Sequence, residues 1–361
     1  MQTNPKLRVG IIFGGKSFEH EVSIVSANSV INAADSEKFE FIPIGVTKKG
    51  AWLASPSKEI MKHYLADKEV KPGYGAKPVF LSFDPEVKGL IANHDNSFLK
   101  IDVFFPLIHG TFGEDGTLQG ALELAQLPYV GCGVLASSIG MDKTVAKKLF
   151  EHAGIDVVPY VEIRKAGWKK DPEGLMDRIE KELGYPFFVK PVNSGSSVGI
   201  SKAKKRDSLK EAIEVAFKYD RKVLVEEAVN AREIEVSVLG NEYPVASLPG
   251  EIVPSNEFYD YNAKYVDGAS ILTIPADLPK DTIELLKTNA VKAYKAIDCS
   301  GMTRVDFFVD KTSGKVYLNE VNTLPGFTDI SMYPKLIEAS GITYKDLITQ
   351  LIDLALERFN S

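Results

Sequence analysis

Two short runs near the C-terminus constrain this chain more than any other feature. Arg304-Val305-Asp306-Phe307-Phe308 and Leu318-Asn319-Glu320-Val321-Asn322 each alternate polar with apolar residues. Arg304 and Asp306 therefore share one face of a strand, and Glu320 and Asn322 share one face of the next. A turn at Lys311–Lys315 would set Asp306 opposite Glu320 and Arg304 opposite Asn322. Carboxylates opposed across a strand pair repel one another, and a bound divalent cation removes that penalty. Two carboxylates and an Asn amide form an all-oxygen set that suits Mg2+ rather than zinc. The chain then runs through Thr323-Leu324-Pro325-Gly326-Phe327-Thr328. A backbone N–H of that Pro-Gly turn, beside Arg304, would make an oxyanion site next to the metal.

The rest of the chain divides into three regions. In the first third, apolar β-branched runs (LRVGIIF, FEFIPIGVT, KIDVFFPLI) alternate with helical patterns such as EVSIVSANSVINAA and LQGALELAQL. This predicts a doubly wound parallel α/β domain over residues 1–132. The middle, 133–229, reads as α+β, a small antiparallel sheet with helices on one face. Residues 230–361 carry the strand patterns EIEVSVLG, RVDFFVD and KVYLNEVN and close on the helix YKDLITQLIDLALERF. A length of 361 residues fits such a division, at roughly 100–200 residues per domain. From about 250 to 279 the sequence shows little periodicity and much Pro, Gly and Tyr, as expected of a long functional loop.

Several polar segments fall where strands end. Gly10-Ile11-Ile12-Phe13-Gly14-Gly15-Lys16-Ser17 has the letters of a phosphate-binding P-loop. Three of its variable positions belong to the strand itself, however, and too little chain remains to wrap a triphosphate. The following Ser17-Phe18-Glu19-His20-Glu21 instead places acids at the sheet edge where α/β ligands bind. His109-Gly110-Thr111-Phe112-Gly113-Glu114-Asp115-Gly116 makes a tight polar turn at the same edge. Lys190-Pro191-Val192-Asn193-Ser194-Gly195-Ser196-Ser197-Val198-Gly199 leaves N–H and hydroxyl groups free to face an anion, with Lys190 charged at the strand end. Glu226-Glu227-Ala228-Val229 could offer backbone groups to an adenine, with Glu233 near enough for ribose hydroxyls.

Composition excludes other classes. A net charge of −6, from 43 basic and 49 acidic residues, lacks the basic surplus of nucleic-acid binders. No apolar run approaches the roughly 18 residues of a membrane span. The opening MQTNPKLRVGIIFGG lacks the apolar region of a signal peptide. Cys132 and Cys299 match no metal or redox spacing. A cytoplasmic, soluble protein with two reduced structural cysteines is expected.

Together these segments resemble the ATP-grasp ligases, and closely the D-alanine–D-alanine ligases. The likeness runs in order through nearly the whole chain, most specifically at HGTFGEDGTLQG (109–120) and from Arg304 through NEVNTLPG. It implies an ATP-grasp fold preceded by the N-terminal α/β domain, with two domains closing on ATP. It also implies roles for individual residues. Glu19, Ser196 and Tyr265 would form a hydrogen-bonded triad beside the first D-alanine, with His109 lining the same subsite. Lys143, Lys190 and Ser197 would bind phosphates, and Lys264 would approach the γ-phosphate. Glu226, Val229 and Glu233 would hold the nucleoside. Asp306, Glu320 and Asn322 would bind magnesium, two ions in all, with Mn2+ able to substitute. Arg304 and the Gly326 backbone would stabilise the tetrahedral intermediate, and Ser331 and Met332 would take the second substrate's carboxylate. Some members read Glu-Lys-Trp-Leu where this chain has Glu226-Glu227-Ala228-Val229. Backbone contacts to adenine survive that change.

The resemblance further implies a homodimer and ligation through D-alanyl phosphate for peptidoglycan precursors. A D-alanine–D-lactate ligase is the near alternative, disfavoured by Tyr265, and a D-alanine–D-serine ligase stands beside it. A P-loop NTPase switch using Gly10–Ser17 is the remote one.

Overall fold

The computed structural model describes residues 5–361 apart from 85, 94, 196, 197 and 254–270. β1 (Leu7–Gly14) is buried from Val9 onward, which a strand achieves only when both faces of its sheet are covered. It pairs in parallel with β2 (Phe39–Val46) and with β7 (Val103–Pro106). The crossover helix α1 (His20–Ala33) packs against β1, as parallel pairing requires. Beyond β2 the sheet continues antiparallel through β3 (Trp52–Ala54), β4 (Lys77–Leu81), β5 (Gly89–Ala92) and β6 (Phe98–Lys100). The order is β6-β5-β4-β3-β2-β1-β7. The parallel, doubly wound character is thus confined to three of seven strands. The antiparallel strands are three to five residues long, too short to display an alternation in sequence.

The second sheet has β8 (Tyr160–Arg164), β9 (Phe187–Pro191), β10 (Ser201–Ala203) and β11 (Lys222–Glu227) in the antiparallel order β10-β9-β11-β8. Its core includes Trp168, Met176, Ile179, Leu209 and Ile213 of the helices Lys165–Lys170, Pro172–Glu182 and Arg206–Ala216.

The third sheet is antiparallel, with β12 (Ala231–Gly240) pairing β16 (Gly301–Asp310), and β16 pairing β17 (Val316–Asn322). The long stretch read as a loop begins and ends as strands. β14 (Gly250–Val253) pairs with β12 and with β15 (Ile271–Thr273), so Ile252 faces Leu272 across the ladder. Three or four residues are again too few for a visible period.

Helices α4 (Val134–Met141) and α5 (Lys143–His152) share the core of this third sheet, through Ala136, Ala146 and Phe150. Helix α4 lies in LPYVGCGVLASSIGMDK, whose Gly and Ser residues favour caps and turns and so mask a helical signal. Cys132 and Cys299 are free and buried in the same core. The first and third sheets are joined by one apolar cluster. Val9, Ile11 and Phe13 of β1 belong to it together with Phe327, with Tyr333 of α10 (Met332–Ala339), and with Leu351 of α11 (Tyr344–Asn360). No helix among the described residues is long and apolar enough to cross a membrane.

Candidate active site

A cavity of about 780 Å3 opens between the three sheets. Its wall in the third sheet follows the β16–β17 register, which places Asp306 opposite Glu320 and Arg304 opposite Asn322. Asp310 makes the connecting turn by accepting the N–H groups of Thr312 and Ser313. A bulge between Asp306 and Phe307 re-aims the neighbouring side chains, a device common beside active sites. Arg304 grips both Asp306 oxygens at 2.7 Å and lies 3.0 Å from Glu235. Asn322 donates to Asp306 at 2.8 Å. Among the described residues no three His, Cys, Asp or Glu side chains group as metal ligands. Asp306, Glu320 and Asn322 nonetheless line the one cavity. Two carboxylates and an amide oxygen fit Mg2+, a hard cation usually held by one or two carboxylates together with substrate phosphates.

Lysines occupy the opposite wall. Asp142 caps α5 at Val145 N–H and pairs with Lys222 of β11. This fixes the start of the helix that carries Lys143. The Lys143 ammonium donates to the Ser194 carbonyl at 2.9 Å and lies 3.6 Å from Glu320. Lys190 on β9 reaches Glu226 on β11 at 2.5 Å, and Lys147 reaches the other oxygen of Glu226 at 2.6 Å. Burial alone would raise the Glu226 carboxyl, yet the two lysines pull it down to about 2. Burial lowers the Lys147 ammonium, with Glu226 opposing. Val229 and Glu233 line the cavity beyond. The Glu227 carboxylate accepts the Gly184 N–H at 3.1 Å.

The third wall comes from the first sheet. β1 ends in Gly14 and Gly15, both at φ 90°, a backbone that favours glycine. That turn delivers Glu19, 8% exposed, just before α1. A Cβ built on Gly110 would stand 3.1 Å from the Glu19 carboxylate, so the 109–116 turn closes directly over it. His109, 3% exposed, places Nδ1 3.0 Å from the Leu324 carbonyl and Nε2 3.0 Å from the Ser26 hydroxyl. Burial lowers its pKa, which keeps the ring neutral. Glu114, 3.9 Å from His109, is pushed well up by burial and by the neighbouring Glu19.

Gly326, Ser331 and Met332 complete the lining. The Ser331 hydroxyl accepts the Thr328 N–H at 2.9 Å, and a Cβ on Gly326 would meet that hydroxyl oxygen at 2.7 Å. A side chain there would push the Ser331 hydroxyl off that bond.

Every site residue expected from sequence that the structure describes lines this cavity. Ser196, Ser197, Lys264 and Tyr265 lie outside the described residues. The P-loop letters lead elsewhere. Gly10–Phe13 are interior to β1, and the Lys16 ammonium sits 5.5 Å from the Phe112 ring rather than lining the cavity. Sequence reasoning named Glu114 only as part of the 109–116 turn, and missed Lys147 and Glu235. A signal existed for Lys147, a charge at i+4 from Lys143 on the helix face that also buries Phe150.

Two family models match the chain, "D-ala D-ala ligase N-terminus" over residues 8–132 and "D-ala D-ala ligase C-terminus" over 149–353. A D-alanine--D-alanine ligase of Caldicellulosiruptor bescii is 54% identical over 98% of this chain and 96% of its own length. One from Acetivibrio thermocellus is 52% identical over 98% and 97%. Among solved structures, the VanG D-Ala:D-Ser ligase of Enterococcus faecalis superposes with a TM-score of 0.87 at 39% identity, covering 97% of this chain and all of that one. The D-alanine-D-alanine ligase of Coxiella burnetii gives 0.86 at 37% identity, over 98% and 95%.

Proposed function

The chain belongs to the D-alanine–D-alanine ligase family, and we propose that it joins two D-alanine molecules with ATP, through D-alanyl phosphate, for peptidoglycan precursor synthesis in the cytoplasm. The observation that carries this reading is the cavity itself, with Lys143 and Lys190 on one wall facing Arg304, Asp306, Glu320 and Asn322 on another. D-serine is the second substrate named for one structural relative at 39% identity. Relatives named for D-alanine stand at 52–54% over nearly the full length, which favours D-alanine.

In the first step a carboxylate oxygen of D-alanine attacks the γ-phosphorus of ATP, and the bond to the β-phosphate oxygen breaks to release ADP. Lys143, Lys190, Ser197 and Lys264 hold the phosphates in line, since positioning and charge supply most of the catalysis in phosphoryl transfer. Asp306, Glu320 and Asn322 would hold Mg2+ (two ions, with Mn2+ as substitute), which would supply positive charge to the phosphoryl oxygens. Glu226, Val229 and Glu233 hold the nucleoside, and Lys147 keeps Glu226 in register with Lys190. Glu19, Ser196 and Tyr265 orient the first D-alanine.

In the second step the amine of the other D-alanine, its carboxylate held at Ser331 and Met332, attacks the acyl carbon. The carbonyl oxygen gains charge beside Arg304 and the Gly326 N–H, and phosphate departs. Water would hydrolyse the acyl phosphate, so segments 190–199 and 250–279 act as lids. We read the domains as 1–132, 133–229 and 230–361 and the enzyme as a homodimer. The test offers D-alanine, D-serine and D-lactate as competing second substrates and identifies the products. D-alanyl-D-alanine should dominate. A predominant ester or D-alanyl-D-serine would refute the assignment.

A further inference from the structure

The loop that carries Gly326 is gripped by Ser26 and Tyr344, to which no role in the reaction is assigned, and by His109 of the cavity wall. Ser26, fully buried on α1, accepts the Phe327 N–H at 3.3 Å and lies 3.0 Å from His109 Nε2. His109 Nδ1 lies 3.0 Å from the Leu324 carbonyl. On the other side of Phe327, the Tyr344 hydroxyl donates to its carbonyl at 2.8 Å. Gly326 therefore sits in a segment pinned at Leu324 and at both backbone groups of Phe327.

With His109 neutral, as its burial favours, the bond polarities close in one way. The Leu324 carbonyl can only accept, so His109 carries its proton on Nδ1 and donates there. Nε2 is then an acceptor, and the Ser26 O–H must donate to it. That leaves the Ser26 lone pairs to accept from Phe327 N–H. A neutral His109 is what this pattern requires, and burial holds it neutral. Both ring nitrogens are spent on protein atoms, so neither is available to a substrate.

We propose that Ser26 and His109 act as a positioning relay that sets the Gly326 N–H against the reacting carbonyl, rather than as substrate-binding groups. This rests on the oxyanion role read for Gly326 above. The relay also ties that donor to α1, whose N-terminal end holds Glu19 in the same cavity. The first-substrate acid and the oxyanion donor are thereby both tied to one rigid element, as precise geometry demands.

Single-turnover dipeptide formation, with enzyme in excess over ATP, tests the relay, because its rate constant does not depend on the fraction of enzyme folded. Ser26→Ala should slow it by about 30-fold, inside the roughly 100-fold range that misplaced groups cost, with KM for D-alanine and ATP within about 3-fold. Ser26→Cys, which keeps a weaker donor and acceptor, should recover part of the rate. Tyr344→Phe, at a half-buried site, should slow the step by about 5-fold from the other side of Phe327, and it carries the test if Ser26→Ala does not fold. An unchanged rate constant in Ser26→Ala or in Tyr344→Phe would overturn the relay. So would a loss confined to KM for D-alanine, or a Cys variant no better than Ala. Wild type that makes no dipeptide would instead refute the ligase reading on which the relay rests.

Discussion

Arg304 holds both carboxylate oxygens of Asp306 at 2.7 Å, two residues along the same strand. Glu235, 3.0 Å from Arg304, also holds the arginine in the site, and Asp306 is one of the three oxygen ligands read for Mg2+. Asp306→Asn should therefore raise the Mg2+ concentration for half-maximal activity by about 10-fold or more, since loss of one ligand weakens a site held by few protein groups. A magnesium titration of both proteins measures this. Chelation should abolish wild-type activity, and added Mg2+ or Mn2+ should restore it.

Two lysines separate the ligase from a P-loop switch. Lys190 is half-buried in the cavity against Glu226, whereas Lys16 lies outside it beside Phe112. Lys190→Ala should cut kcat/KM by about 100-fold or more, the usual scale for one lost charge-stabilising group. Lys16→Ala should change it less than about 3-fold, as for a surface site. Steady-state kinetics decide, and the reverse ranking would favour the switch.

Glu226 carries a pH signature in stability. Its folded pKa lies near 2, against an ordinary value of 4.5. The group is depressed on folding, so its contribution is fully present above pH 4.5 and fades as pH falls from there towards 2. Urea midpoints of wild type should drop through this window more steeply than those of Glu226→Gln. The variant should also be less stable at neutral pH, by about 3 kcal/mol, because Lys147 is left buried without its counter-charge.

Much of this was legible in sequence because strong signals are local. Alternation in β16 and β17 foretold the register that opposes Asp306 to Glu320. Helical spacing foretold α1 in EVSIVSANSVINAA and α11 in YKDLITQLIDLALERF. Short strands such as β3 and β15 escaped, since three residues complete no recognisable period. Contacts made only by folding escaped as well. Nothing in the spacing of Ser26, His109 and Phe327 announces that they meet, 83 and 301 residues apart in the chain. Cys132 and Cys299 likewise match no motif, yet they share one core.

Tyr265 lies outside the described residues, and its proposed place in the triad with Glu19 and Ser196 is open to mutation. Tyr265→Phe should shift product at neutral pH from dipeptide towards D-alanyl-D-lactate when both acceptors compete. Unchanged ratios would remove Tyr265 from the control of acceptor choice.

The most direct measurement follows an oxygen atom. D-Alanine labelled with 18O in its carboxylate is incubated with ATP, Mg2+ and the enzyme, and the inorganic phosphate is analysed by mass. Attack of the carboxylate on the γ-phosphorus, followed by departure of phosphate from the acyl carbon, moves one labelled oxygen into phosphate for each dipeptide formed. Label in phosphate, with ADP as the nucleotide product, is the predicted result. Unlabelled phosphate, or label appearing in AMP, would contradict ligation through an acyl phosphate in this cavity.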